Sequence, residues 1–145
     1  MPETTTGQVV LAEISATALD VAGCLEAVSG PTAGGLGLFV GAVRAVDHER
    51  AVTSLLYEAH PSAAAVLAEV CARGAEGGVL SVAAVHRIGQ LYVGDLAVVV
   101  AVSAVHRAEA LETTRWLIDT IKAEVPIWKH QHFADGRDEW VHACG

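Results

Sequence analysis

The chain has 145 residues, 52% of them hydrophobic, with Lys+Arg 9 against Asp+Glu 17 and a formal net charge of -8. That length suits one domain around one core, and the acidic balance excludes a sequence-independent nucleic-acid binder or an anionic-membrane surface, since both need a broad basic face. The longest apolar run, "LAVVVAVSAV" at 96–105, has about half the length that spans a bilayer, so it reads as a buried strand.

The opening "MPETTTGQ" is polar and acidic, without the basic and apolar regions of a secretory leader, and a cytoplasmic protein is expected. "GQVVLAEI" (7–14) predicts a strand, and "SATALDVAGCLEAVSGP" (15–31) predicts a helix with hydroxyl caps and a Gly-Pro stop. "GGLGLFVGAVRAV" (34–46) and "AVTSLLYEAH" (51–60) predict neighbouring strands joined by the charged "DHER". Pro61 suits the first turn of a helix over 61–78, which closing glycines end. Residues 79–105 predict two strands about a "GQLYVGD" connection, 106–124 a third helix stopped by Pro126, and "IWKHQHFADGRDEWVHA" a hairpin turning at Asp135-Gly136. The order β-α-β-β-α-β-β-α-β-β mixes hairpins with crossovers, which predicts an α+β fold over 1–145 as a single domain.

Cys24, Cys71 and Cys144 are widely spaced with no CxxC pair, the pattern of reduced thiols rather than a disulfide framework or zinc ribbon. His130, His132, His142 and Cys144 alternate as HxH and HxC on the terminal hairpin, which would place each pair on one strand face. No HExxH pattern accompanies them, and no metal or cofactor is expected. The same scan finds no nucleotide-binding loop.

Lys122 and Lys129 are the chain's only lysines, against seven arginines. Lys122 falls in the last turn of the third predicted helix, where a cation complements the helix dipole. Lys129 follows "PIW", so a stiff, anchored segment presents its amine. Lysine, unlike arginine, can lose its proton near apolar groups or other cations and so serve as base or nucleophile. His106 and Arg107 open the third helix, where backbone N–H groups and a guanidinium form an anion site in outline; the alternative is a capping histidine beside an exposed arginine. Arg44 ends "FVGAVR", a strand whose glycines permit close backbone approach. His86 and Arg87 in "VHRIG" read as structural residues.

Taken together, "FVGAVR", "YEAH", "VHRIGQLYVGD", "VSAVHRAEAL", "LIDTIKAEVPIWKHQ" and "DGRDEWV" resemble the large, catalytic subunit family of molybdopterin synthase, over about residues 35–142. The resemblance implies an α/β hammerhead-type fold with an additional antiparallel sheet. It also implies a sulfurtransferase that converts cyclic pyranopterin monophosphate to molybdopterin, with sulfur delivered as a thiocarboxylate on the C-terminal Gly-Gly tail of a small ubiquitin-like subunit. The implied assembly is a homodimer of large subunits within a heterotetramer. Carried over by residue, Lys122 is the leading catalytic residue and Lys129 assists it. Arg44, His106 and Arg107 match positions that hold phosphate and pterin, with Phe39, Ala42, Val43, His130 and Gln131 in the neighbouring binding stretches. Gln131 stands where the family pattern leads one to expect glutamate, which removes a carboxylate from the pocket; an expected basic residue is replaced around Cys144, and the sequence stops at Gly145 where some members of the family continue into a longer tail. Other classes the sequence allows are an inactive docking protein for a ubiquitin-like carrier and a histidine-rich metal binder.

Overall fold

Two strands, β5 (Val79–Arg87) and β7 (Leu96–Ala104), are apolar at odd and even positions alike, so both of their faces must be covered. The computed structural model, which describes residues 7–142, places them side by side at the centre of a four-stranded sheet. There β1 (Gln8–Ser15) runs parallel to β5, and β2 (Gly35–Ala42) runs antiparallel to β7. The pleat divides their side chains between two cores. Val82, Ala84, Val98, Val100 and Val102 pack with α2 (Ala63–Gly74) and α3 (Arg107–Glu124). Ala83, Val85, Val99 and Ala101 pack with Cys24 and Val28 of α1 (Val21–Val28).

A second sheet is built on β4 (Arg50–Ala59), which pairs antiparallel with the short β3 (Val46–Asp47), with β6 (Gly89–Tyr92) and with β8 (Ile127–Phe133); β8 in turn pairs with β9 (Asp138–His142). Leu55 and Tyr57 of β4, Leu91 of β6 and Ile127 of β8 join the same core as α2 and α3. The architecture is therefore α+β with an additional antiparallel sheet, as expected. Among the described residues no helix is long and apolar enough to cross a membrane.

Several predicted boundaries shift for identifiable reasons. The first helix begins only at Val21, because Asp20 rather than a hydroxyl caps it, accepting the Gly23 N–H at 2.9 Å. Ser15 and Thr17 instead bond each other at 3.1 Å in the preceding loop. Pro61 lies outside α2, whose start is set by Ser62, with the Ser62 N–H donating to His60 Nδ1 at 3.1 Å. The strand predicted over 34–46 breaks after Ala42 and resumes as β3. The "GQLYVGD" connection contains β6, closed by the Tyr92 N–H donating to the Asp95 carboxylate at 2.9 Å and by Gly94 at φ +92°. The terminal hairpin forms as predicted, with Gly136 at φ +85°.

Helix α3 lies directly against the backbone of β2, and glycine permits it. A methyl group at Gly37 would stand 2.4 Å from the Ala110 carbonyl oxygen and 2.2 Å from Thr114 Oγ1, closer than any packed side chain tolerates. Gly37→Ala is expected to push α3 off the sheet and lower stability by about 2 to 3 kcal/mol, measured as a fall in the urea midpoint with an unchanged m-value.

Candidate active site

Where β2 leaves the sheet it opens a cleft of about 570 Å³, a size that suits a small-molecule ligand. The exit is set by an irregularity in the β2–β7 register between Gly41 and Ala42, the kind of break that re-aims a strand end. Beyond it Val43 is tied down on both sides: its N–H donates to Asp95 O at 2.9 Å and its carbonyl accepts from Gly94 N–H at 2.9 Å. Phe39, Ala42, Val43 and Arg44 all line the cleft.

The opposite wall comes from β4 and β8. Tyr57 pairs with Lys129 and Leu55 with Gln131, so these four side chains share the face turned to the cleft, which they all line. Gln131 is 2% exposed and its side-chain amide donates to Asp47 Oδ2 at 2.9 Å. Asp47 also meets Arg44 Nη2 at 3.3 Å and His48 Nδ1 at 3.4 Å. The carboxylate that Gln131 does not supply thus comes from β3, held in place by Gln131 itself. Asp47 reaches it from a two-residue turn in which His48 and Glu49 take φ 48° and 64°, a conformation normally left to glycine or asparagine.

Electrostatics separate the groups. The Gln131 hydrogen bond, then the nearby His48, Lys129 and Arg44 charges, hold the Asp47 carboxyl below its ordinary value against the effect of burial. Burial pulls the Lys129 ammonium below its ordinary value, with Lys122 and Arg44 adding to the fall and Asp47 opposing it. A larger fraction of neutral amine is the result. Lys122, at the last turn of α3, lines the same cleft. The chain's two lysines therefore converge from a helix end and a strand.

His86, read from sequence as structural, is buried and also lines the cleft. Its Nδ1 lies 2.8 Å from the Arg87 carbonyl, which only accepts, so Nδ1 carries the proton and Nε2 is a bare acceptor. Its ring meets Tyr57 edge-on, with centroids 5.0 Å apart. Burial, helped by Lys122 and against the Arg87 hydrogen bond, lowers its pKa to about 4. Asp47 and Tyr57 are polar cleft residues that sequence reasoning did not single out, and His86 is one that it read as structural. A histidine and a tyrosine at inward positions of apolar strands were the available signals.

Three expected site residues stand elsewhere. His106 and Arg107 are exposed at the N-terminal end of α3. Fifteen residues of helix separate Arg107 from Lys122, about 22 Å at 1.5 Å per residue, so the pair does not reach this cleft within one chain. His130 points to the opposite face of β8 from Lys129 and Gln131 because side chains alternate. Of the alternating HxH and HxC set, the structure gathers His130 and His132 with Asp138 and puts His142 beside Trp128, ring centroids 6.0 Å apart; Cys144 lies outside the described residues.

Residues 14–124 match the family model described as MoaE protein. The chain is 44% identical over 128 residues to molybdopterin synthase catalytic subunit 1 of Mycobacterium tuberculosis, covering 85% of this chain and 84% of the relative. It is 36% identical over 132 residues to the molybdopterin synthase catalytic subunit of Synechococcus elongatus, covering 89% and 80%. Among solved structures, molybdopterin synthase from Staphylococcus aureus superposes with a TM-score of 0.80 at 31% identity, covering 94% of this chain and 96% of that one. A complex of subunits 1 and 2 of molybdopterin-converting factor from Helicobacter pylori shares the fold, with a TM-score of 0.68 at 20% identity over 94% and 89%.

The state of His86 has a measurable consequence for stability. An unfolded chain protonates this residue near pH 6.5, the folded chain only near pH 4, so folding stability is lost as pH falls through that window. Urea denaturation is expected to register roughly 2 to 3 kcal/mol of loss from this group between pH 7 and 4.5, and His86→Gln to remove that part of the slope.

Proposed function

The chain belongs to the MoaE protein family, and on that premise we propose that it is the catalytic subunit of a molybdopterin synthase, acting as a sulfurtransferase. Its substrate is cyclic pyranopterin monophosphate, and its sulfur donor is the C-terminal thiocarboxylate of a small ubiquitin-like subunit. Residues 1–145 work as one domain, consistent with the core that the two sheets share. The observation that carries the reading is the convergence of Lys122, Lys129 and Arg44 on one cleft inside a protein of net charge -8. Both reactants are anions, and only a local cluster of cations can bring them together here.

A thiocarboxylate is already nucleophilic, so the protein's work is to position it, move protons and stabilise charge as the cyclic phosphate opens. Lys122, on the outer rim, meets the incoming tail and stabilises developing negative charge. Lys129, half-buried and with its ammonium held below the ordinary lysine value by burial, takes up and returns a proton. Asp47 keeps Arg44 directed along the cleft edge, and Gln131 keeps Asp47 fixed. His86 offers its bare Nε2 as an acceptor on the inner wall.

The distance along α3 bears on the assembly. If Arg107 and His106 hold the phosphate while Lys122 acts on the same molecule, about 22 Å of helix requires that they come from a second copy. The proposed unit is accordingly a homodimer with composite sites, extended by a small subunit on each large one into a heterotetramer.

Reconstitution with a thiocarboxylated small subunit and cyclic pyranopterin monophosphate tests the chemistry. Lys122→Ala and Lys129→Ala are each expected to cut dithiolene formation by about 10²-fold or more while the partner still binds. Lys129→Arg is not expected to rescue, because guanidinium stays protonated. A stable complex in which the unaltered chain makes no product would identify a docking protein instead. Composite sites have their own signature: mixing inactive Lys122→Ala and Arg107→Ala chains and letting subunits exchange is expected to restore about a quarter of normal activity, since half the dimers then carry one intact site.

A further inference from the structure

The outer face of the terminal hairpin carries a side-chain set that the proposed sulfur transfer does not use. Alternation and register put Trp128, His130 and His132 of β8 opposite His142, Trp140 and Asp138 of β9. One ligand atom from each of His130, His132 and Asp138 lies within 4.8 Å of the other two. His130 is held in place: its ring stacks on Trp140 with centroids 4.4 Å apart and planes 14° apart, and its side chain is 17% exposed. Its centroid lies 4.4 Å from that of His132, and its Nε2 bonds Asp138 Oδ2. Asp138, 58% exposed, has the freedom to move.

We propose that His130, His132 and Asp138 form a binding site for a divalent late first-row metal ion, of the zinc or cobalt class, which clips β8 to β9. Two imidazoles and one carboxylate are a donor set that such ions prefer over calcium or magnesium, which take oxygen ligands. Bonds of 2.0–2.2 Å to a tetrahedral ion place the ligand atoms about 3.3 Å apart. The ligand atoms, within 4.8 Å of one another, come within reach of that geometry once the exposed Asp138 withdraws from His130 to admit the ion. The fourth position faces solvent and takes water. Because Lys129 and Gln131 project from the same strand to the other side, an ion here stiffens the backbone that presents them to the cleft.

Untagged protein, stripped with chelator and titrated calorimetrically with Zn²⁺ and Co²⁺, is expected to bind one ion per chain. His132→Ala and Asp138→Asn should each weaken binding by about tenfold or more, and the visible spectrum of the cobalt form should lose its four-coordinate bands in both. Zinc should also slow amide exchange across β8 and β9 in the unaltered chain and not in the variants. Urea midpoints of the metal-free proteins show whether the variants fold, so lost binding cannot be mistaken for lost structure. Absence of a stoichiometric ion in the unaltered chain, or unchanged binding in both variants, overturns the proposal; the latter would move the ion to other histidines or to Cys144.

Discussion

One strand has to serve a hydrophobic core, a charged cleft and an exposed surface together, and the pleat of β8 is what makes this possible. Ile127 and Phe133 anchor its ends in buried surroundings, and between them Lys129 and Gln131 fall on the same inward face. Side chains of period two cannot do otherwise. The register with β4 then sets Lys129 against Tyr57 and Gln131 against Leu55, so a one-residue slip would turn both polar groups outward and bury His130 and His132 in their place. The apolar ends prevent that slip. The position of the amine in the cleft is thus a consequence of core packing at Ile127, two residues before it, and at Phe133, four residues after it.

The second requirement is a carboxylate in a cluster of cations. Arg44 and Lys129 near one another repel, and Asp47 offsets that repulsion without neutralising the cleft as a whole. Holding Asp47 requires the β3–β4 turn, in which two non-glycine residues adopt positive φ, a conformation that costs on the order of 1 kcal/mol or more per residue. The local chain is strained in order to direct one carboxylate at Gln131. A glutamate in place of Gln131 would face Asp47 as a like charge, so the amide at 131 and the acid at 47 make sense only as a pair.

Much of this was legible before the structure. The apolar run of β7, the third helix with Lys122 in its last turn, and the Asp135-Gly136 hairpin all follow from periodicity and turn chemistry, and the resemblance located both lysines. What sequence did not reveal was tertiary in origin. β6 hides in "GQLYVGD" because four residues between glycines carry little periodic signal; it becomes a strand by pairing with β4. Asp47 looked like part of a polar connection, and only the 84-residue contact with Gln131 gives it a role. His130 was assigned by its neighbours in sequence, whereas a strand assigns it by parity.

Helix α3 brings these constraints together. Its backbone lies against β2 where Gly35 and Gly37 leave no side chain between them, which fixes the axis and so fixes where both ends of the helix stand. At the C-terminal end the exposed carbonyls carry partial negative charge, and Lys122 complements them while lining the cleft. At the other end the helix N–H groups and the exposed Arg107 present positive potential outside the cleft that Lys122 lines. Under the proposed sulfur transfer, an acidic protein that holds two anions gains by bringing that second end to a neighbour's cleft, because helix dipole and guanidinium then add to the lysines without adding cations to either chain. On the proposed function the glycines of β2 thus act at a distance. They hold α3 rigid enough for its two ends to serve two different sites.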